Sequence, residues 1–218
     1  MNKIFQRNHD PIWHAQLALL TIVALQLMTN SALLPFNKIL IITLELLLIT
    51  ILTFVTPANY GRISKARRAL GIILIGFITL VNIVSLVLLL NALFFNDAYV
   101  NGHDLLINGF VIYSTNIIIF TLWYWEIDGG GPEKRATNNI SQEDFLFPQM
   151  LHPLFFKNKW LPGFIDYLYL SITNVTNFAS ADTIPISRRA KILMMIQAST
   201  AVVTVVLVLA RAIAVFGS

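Results

Sequence analysis

The chain has 218 residues, of which 56% are hydrophobic and only 12% charged, with a formal net charge of +4 and no cysteine. Soluble domains carry about one quarter charged residues, so this composition excludes one and implies an integral membrane protein. Without cysteine there are no disulfides, no thiol chemistry and no cysteine metal ligands. The basic excess is read first as charge distributed across a bilayer rather than as affinity for nucleic acid.

The first apolar run spans about Trp13 to Leu34, behind Lys3 and Arg7. Its length, and the further runs that follow, make it a retained helix rather than a cleaved signal peptide. Pro35 interrupts, and a second run covers about Lys38 to Thr56. So short a connection predicts two antiparallel neighbours. The turn 57-PANYGRISKARR-68 precedes a third run, about Ala69 to Phe95. The polar bend 96-NDAYVNGHD-104 leads to a fourth, about Leu105 to Trp125, which closes on 123-WYW-125, an aromatic interfacial anchor. Residues 126–163 form a long loop containing 129-GGGP-132 and the broken aromatic stretch 145-FLFPQMLHPLFF-156, expected to lie along the membrane surface. The fifth run, about Ile192 to Phe216, is opened by 188-RRAK-191. Each run approaches or exceeds the roughly 20 residues that a spanning helix needs.

Between the loop and the last run lies 164-FIDYLYLSITNVTNFASADTIP-185. Residues 164–176 can form a helix of about thirteen residues, roughly 20 Å long. That is too short for a hydrocarbon core of about 30 Å. A short helix followed by a polar return predicts a re-entrant hairpin, tolerated in a membrane only where protein or a water-filled cavity surrounds it. The fold class expected is therefore all-α integral membrane, with five transmembrane helices plus a re-entrant helix.

The pattern D-x-L-Y-x-S-x-T-x-x-T-x-x-x-x-x-D-x-x-P, from Asp166 to Pro185, is followed by a basic stretch and one long apolar run. This resembles the pore module of tetrameric potassium channels. The resemblance divides the chain into an N-terminal three-helix membrane region, 1–103, and a pore-like module, 104–218. Within the module it implies an outer helix over 104–125, a long loop over 126–163, a re-entrant pore helix and filter-like segment over 164–182, and an inner helix over 190–216. It also implies a homotetramer in a lipid bilayer, no nucleic-acid partner, no cofactor, and monovalent cations as the permeant species. A weaker likeness, to bacterial multi-spanning membrane proteins with a Y-x-S…S-x-D…R ending, implies a multi-pass protein of the cell (inner) membrane.

The family's filter reads Thr-Val-Gly-Tyr-Gly-Asp, and the same places here hold Asn177, Phe178, Ala179, Ser180, Ala181 and Asp182. Both glycines and the tyrosine are replaced. Glycine frees consecutive carbonyls to replace the ion's hydration shell, and a left-handed conformation costs other residues about 1–2 kcal/mol each. The filter-like, pore-lining candidates are Thr173, Thr176, Asn177, Phe178, Ala179, Ser180, Ala181 and Asp182, with Asn174 in the same polar set. A carboxylate ring at Asp182 attracts cations without strong selection. Thr200 and Thr204 are inner-helix candidates, although a Thr hydroxyl can equally bond its own helix backbone.

Other residues limit the reading. The fourth run has no basic residue, which excludes voltage sensing of the usual kind. Glu45 is an intramembrane charge and a functional candidate by default. Asn82, Asn108 and Asn116 are expected to join helices, Asp166 to favour a helix dipole, and Arg211 to snorkel. The 129-GGGP-132 run lacks the Lys-Ser/Thr ending of a phosphate loop. No paired carboxylates, nucleophile elbow or zinc spacing support an enzyme. When connections are numbered alternately, thirteen of the fifteen basic residues collect on one side, with Lys38 and Arg211 on the other. The positive-inside rule then puts the N-terminus, the long loop and the re-entrant mouth in the cytoplasm, whereas the channel resemblance implies an outward mouth. The function expected is a cation-channel-like membrane pore, weakly selective if it conducts. The alternatives are a non-conducting scaffold or sensor with channel architecture, and a small-solute transporter using Glu45.

Overall fold

The computed structural model describes residues 13–29, 34, 37–55, 65–95, 102–136, 142–151, 160–177 and 182–216. Among them are eight α-helices: α1 (Trp13–Met28), α2 (Lys38–Val55), α3 (Lys65–Phe95), α4 (Gly102–Ile127), α5 (Pro132–Ala136), α6 (Pro148–Leu151), α7 (Phe164–Thr176) and α8 (Arg188–Phe216). Two short strands, β1 (Phe145–Leu146) and β2 (Ile184–Pro185), pair antiparallel, with Phe145 opposite Pro185 and Leu146 opposite Ile184.

Three described helices are long and apolar enough to cross a membrane, over Arg67–Phe94, His103–Gly130 and Arg188–Ala210. Helix α1 ends at Met28, before its apolar run does, and Lys38 caps that end. The Lys38 ammonium donates to the carbonyls of Leu27 and Thr29, both at 2.7 Å, and so satisfies two of the orphan acceptors of a helix C-terminus. Helix α8 starts earlier than its apolar run. The Ser187 hydroxyl accepts the Ala190 N–H at 3.1 Å, an N-cap that takes 188-RRAK-191 into the helix. Helix α7 fills the thirteen residues expected. The Asp166 carboxylate caps its start by accepting the Gly163 N–H at 2.8 Å.

Contacts set the directions. Gln16–Thr53 and Gln26–Glu45 make α1 and α2 antiparallel. Asn82 to the Ile112 carbonyl and Trp123 to Thr79 do the same for α3 and α4. Helix α4 is the hub, packed against α1, α3, α7 and α8. Helix α1 buries Ala15, Ala18, Leu19, Ile22, Val23 and Gln26, one stripe at helical spacing. That stripe shares a core with Leu74 and Ile78 of α3 and with Ile119, Leu122 and Trp125 of α4. Large apolar side chains point outward as well, including Phe54 at 85% and Phe94 at 72% exposure, which suits lipid rather than water.

Beyond Ile127 the chain reverses on three consecutive glycines, Gly129, Gly130 and Gly131, with φ of 60°, 87° and 101°. Residues with a side chain resist this region. At Gly131 a Cβ would also lie 3.2 Å from the Glu126 carbonyl oxygen. The run that resembled no phosphate loop is a structural reversal. It aims Asp128 back at the bundle and starts α5.

Two glycines give opposite expectations. Gly131→Ala lowers unfolding stability by about 1–2 kcal/mol through left-handed strain. Gly76→Ala, in α3 with nothing within 4 Å of an added Cβ, is neutral or raises stability by up to about 1 kcal/mol from helix propensity. Thermal unfolding in detergent followed by circular dichroism reads both.

Candidate functional site

The starts of α1, α3, α7 and α8 and the end of α4 gather at one end of the bundle, and so do most of the described charges. There Asp128 is buried at 1% exposure. Its Oδ1 accepts the backbone N–H groups of Asp144 at 2.7 Å and Phe145 at 3.3 Å, and its Oδ2 accepts the Tyr167 hydroxyl at 2.6 Å. One carboxylate thus joins the end of α4, β1 and α7. Burial pushes the Tyr167 hydroxyl well above the ordinary tyrosine range, with Arg135 pulling the other way. The hydroxyl therefore stays a donor. Arg135 donates to the carbonyls of Trp125 at 2.9 Å and Asp128 at 2.5 Å, and its guanidinium lies 5.1 Å from the Tyr167 ring centroid.

Asp144 continues the cluster into α8. Arg189 grips it with two parallel bonds, Nε to Oδ1 at 2.5 Å and Nη2 to Oδ2 at 2.6 Å, the planar fork that favours arginine over lysine. The Ser187 hydroxyl donates to the same carboxylate at 2.5 Å. On the α3 side, Arg67 pairs with Glu133 at 3.0 Å and Arg68 with Glu126 at 3.7 Å. Beside them lies a small, partly open pocket of about 30 Å³, lined by Leu19, Leu52, Leu74 and Leu122 together with Arg67 and Glu126.

A second polar layer lies deeper. Gln197, in the middle of α8, is fully buried. Its Oε1 accepts the Tyr124 hydroxyl at 2.5 Å and the Asn174 amide at 2.8 Å. Its Nε2 donates to Ser171 at Oγ (2.6 Å) and at the carbonyl (3.2 Å). The Ser171 hydroxyl donates in turn to the Ile117 carbonyl at 2.7 Å, and Asn174 also donates to the Met194 carbonyl at 3.2 Å. Helix α7 is thereby fastened between α4 and α8. It begins beside Asp128 and reaches the level of Ile117, about 16 Å along α4 at 1.5 Å per residue. By Ile184 the chain has returned to β1, whose Phe145 is bound to the same Asp128.

The filter-like candidates divide. Thr173 is buried, and its hydroxyl donates to the Tyr169 and Leu170 carbonyls at 2.9 and 3.1 Å. Asn174 belongs to the inner layer. Thr176, Asn177 and Asp182 are exposed, and the Thr176 hydroxyl bonds the Ile172 carbonyl at 2.9 Å. Phe178, Ala179, Ser180 and Ala181 lie outside the described residues. The Thr200 and Thr204 hydroxyls both bond their own helix, to Ile196 and Thr200, and Thr204 is buried within the chain. Glu45 is buried and accepts an amide from Gln26. Among the described residues no group of three His, Cys, Asp or Glu side chains is placed to hold a metal ion.

Sequence reasoning missed Asp128, Asp144, Arg135, Tyr124 and Gln197. A signal existed for the last: Gln197 is a lone amide in the apolar interior of its helix, and such a residue needs an internal partner. Comparisons with protein-family models, curated proteins and solved structures found no match.

Substitutions in the two layers separate their weights. Tyr167→Phe removes a hydrogen bond to a charged group and lowers stability by about 1.5–3 kcal/mol. Gln197→Leu removes four bonds; at the roughly 0.6 kcal/mol average for interhelical bonds in membranes, the loss is about 2 kcal/mol. Chemical unfolding in mixed micelles measures both.

Proposed function

We propose that this chain is one subunit of a channel-like pore of the cell (inner) membrane, with five spans and a re-entrant short helix. In this reading four copies surround an axis, and monovalent cations pass with weak selectivity. The observation that carries it is the placement of residues 163–177 and 182–185. The chain enters beside Asp128, descends as α7 between α4 and α8, and rejoins β1 at the end where it began. A short helix wedged between an outer and an inner helix is the arrangement that the potassium-channel resemblance implies. Among the described residues of this stretch, Asn177 at the tip and Asp182 on the return are exposed polar groups that can meet other subunits or ions. The charged end faces the cytoplasm by the positive-inside rule.

A non-conducting scaffold is the second reading, and a specific observation favours it. Ser171, Thr173 and Asn174 spend their hydrogen bonds inside their own chain, so fewer polar groups remain for a route. In that reading the two polar layers serve only to fix α7 for assembly.

Reconstitution into liposomes separates the two. The pore reading expects flux of potassium and sodium, four copies by native mass spectrometry, and a lower cation flux in Asp182→Asn. Absence of flux for potassium, sodium and chloride at every potential and pH leaves the scaffold.

A further inference from the structure

Glu45 shares the buried stripe of α2 with Ile41 and Ile49 and has no exposed surface. The Gln26 amide on α1 donates to its Oε1 at 3.0 Å. The other half of the contact is unmatched: Gln26 Oε1 and Glu45 Oε2 are both buried, and neither has a hydrogen-bond partner among the described residues. An amide oxygen and a carboxylate oxygen both accept and neither donates, so they cannot satisfy each other. Exchanging the amide nitrogen and oxygen does not help, because an amide oxygen then meets a carboxylate oxygen. A protonated carboxyl group donates. One proton on Oε2 closes an amide–acid ring, with Nε2–H to Oε1 on one side and Oε2–H to Gln26 Oε1 on the other.

We propose that Gln26 and Glu45 form a proton-binding site between α1 and α2, and that the bound proton latches these two helices together. The surroundings supply no other charge to take its place. Helix α1 carries no titratable residue after His14, which lies at its far end, and α3 carries none between Arg68 and Phe95. On α2 the other charged residue is Lys38, whose ammonium is held by the Leu27 and Thr29 carbonyls. Two oxygens are too few to coordinate a metal cation, so the ligand is the proton itself. Its loss leaves a carboxylate in an apolar layer facing an amide oxygen. Among the described residues, the side-chain hydrogen bonds then left between α1 and α2 are those of Lys38 and the Gln16–Thr53 bond at 3.2 Å.

Infrared spectroscopy of the full chain in lipid tests this, because a protonated carboxyl group has its own carbonyl band. Glu45→Gln can keep both ring bonds as an amide–amide pair, so the fold is retained. The expected result is a carboxylic-acid band that is lost in Glu45→Gln and kept in Glu126→Gln. Raising the pH removes it and lowers the amide-exchange protection factors, corrected for the intrinsic base-catalysed rise, in α1 and α2 of the wild type but not of Glu45→Gln. Absence of a Glu45-dependent band at every pH, or its removal by sodium at fixed pH, overturns the proposal.

Discussion

The Asp128 carboxylate is where the chain's lines of force meet. It accepts the backbone N–H groups of Asp144 and Phe145, at the start of β1, and the hydroxyl of Tyr167 from α7, while the Asp128 backbone carbonyl takes Arg135. A thirteen-residue helix is marginal on its own, and α7 exposes Ile165, Tyr169 and Ile172 on its outer stripe. Its position therefore comes from what holds it at each level, and Asp128 holds its entrance. The three left-handed glycines after Asp128 are part of the same device. Without that reversal α5 could not place Arg135 over the Tyr167 ring.

The inner layer does at depth what Asp128 does at the entrance. A buried amide in hydrocarbon is costly unless every group on it is paired. Gln197 pairs both of its ends, and the partners come from α4 and α7. Such a set fixes rotation and depth at once, since sliding α7 by one turn would strand Ser171, Asn174 and Gln197 together. Apolar packing alone is less selective, because neighbouring aliphatic side chains exchange at little cost. The two layers convert a short helix into a fixed wedge, and the same wedge limits function. The polar side chains that do the fastening are the ones an open route would need, which leaves Asn177 and Asp182, among the described residues of 163–185, for an outward role.

The parts of the fold that were legible in the sequence are those governed by local length and period. The short helix over 164–176 follows from a run too brief to span and a polar segment that ends it. The pairing of α1 with α2 follows from the brief link between them. Helix α8 begins at Arg188, two residues before the inner helix expected over 190–216, because Ser187 caps a helix whose first turn is basic rather than apolar. The ties that position the site were not legible. Tyr167 is 39 residues from Asp128, and Gln197 is 73 residues from Tyr124. No period or spacing in one chain announces such pairs. Glu45 stands between these cases: its cost in an apolar run was plain, but its partner Gln26 emerged only with the packing of α1 on α2.

Helix α7 begins, and the chain returns, at the same end of the bundle. The chain contains no native cysteine, so single cysteines at Gly163 and Ile186 can be labelled from either side of sealed membrane vesicles with an impermeant reagent. Both positions are expected to react from the same side, the cytoplasmic one. Labelling of the two positions from opposite sides would contradict that placement.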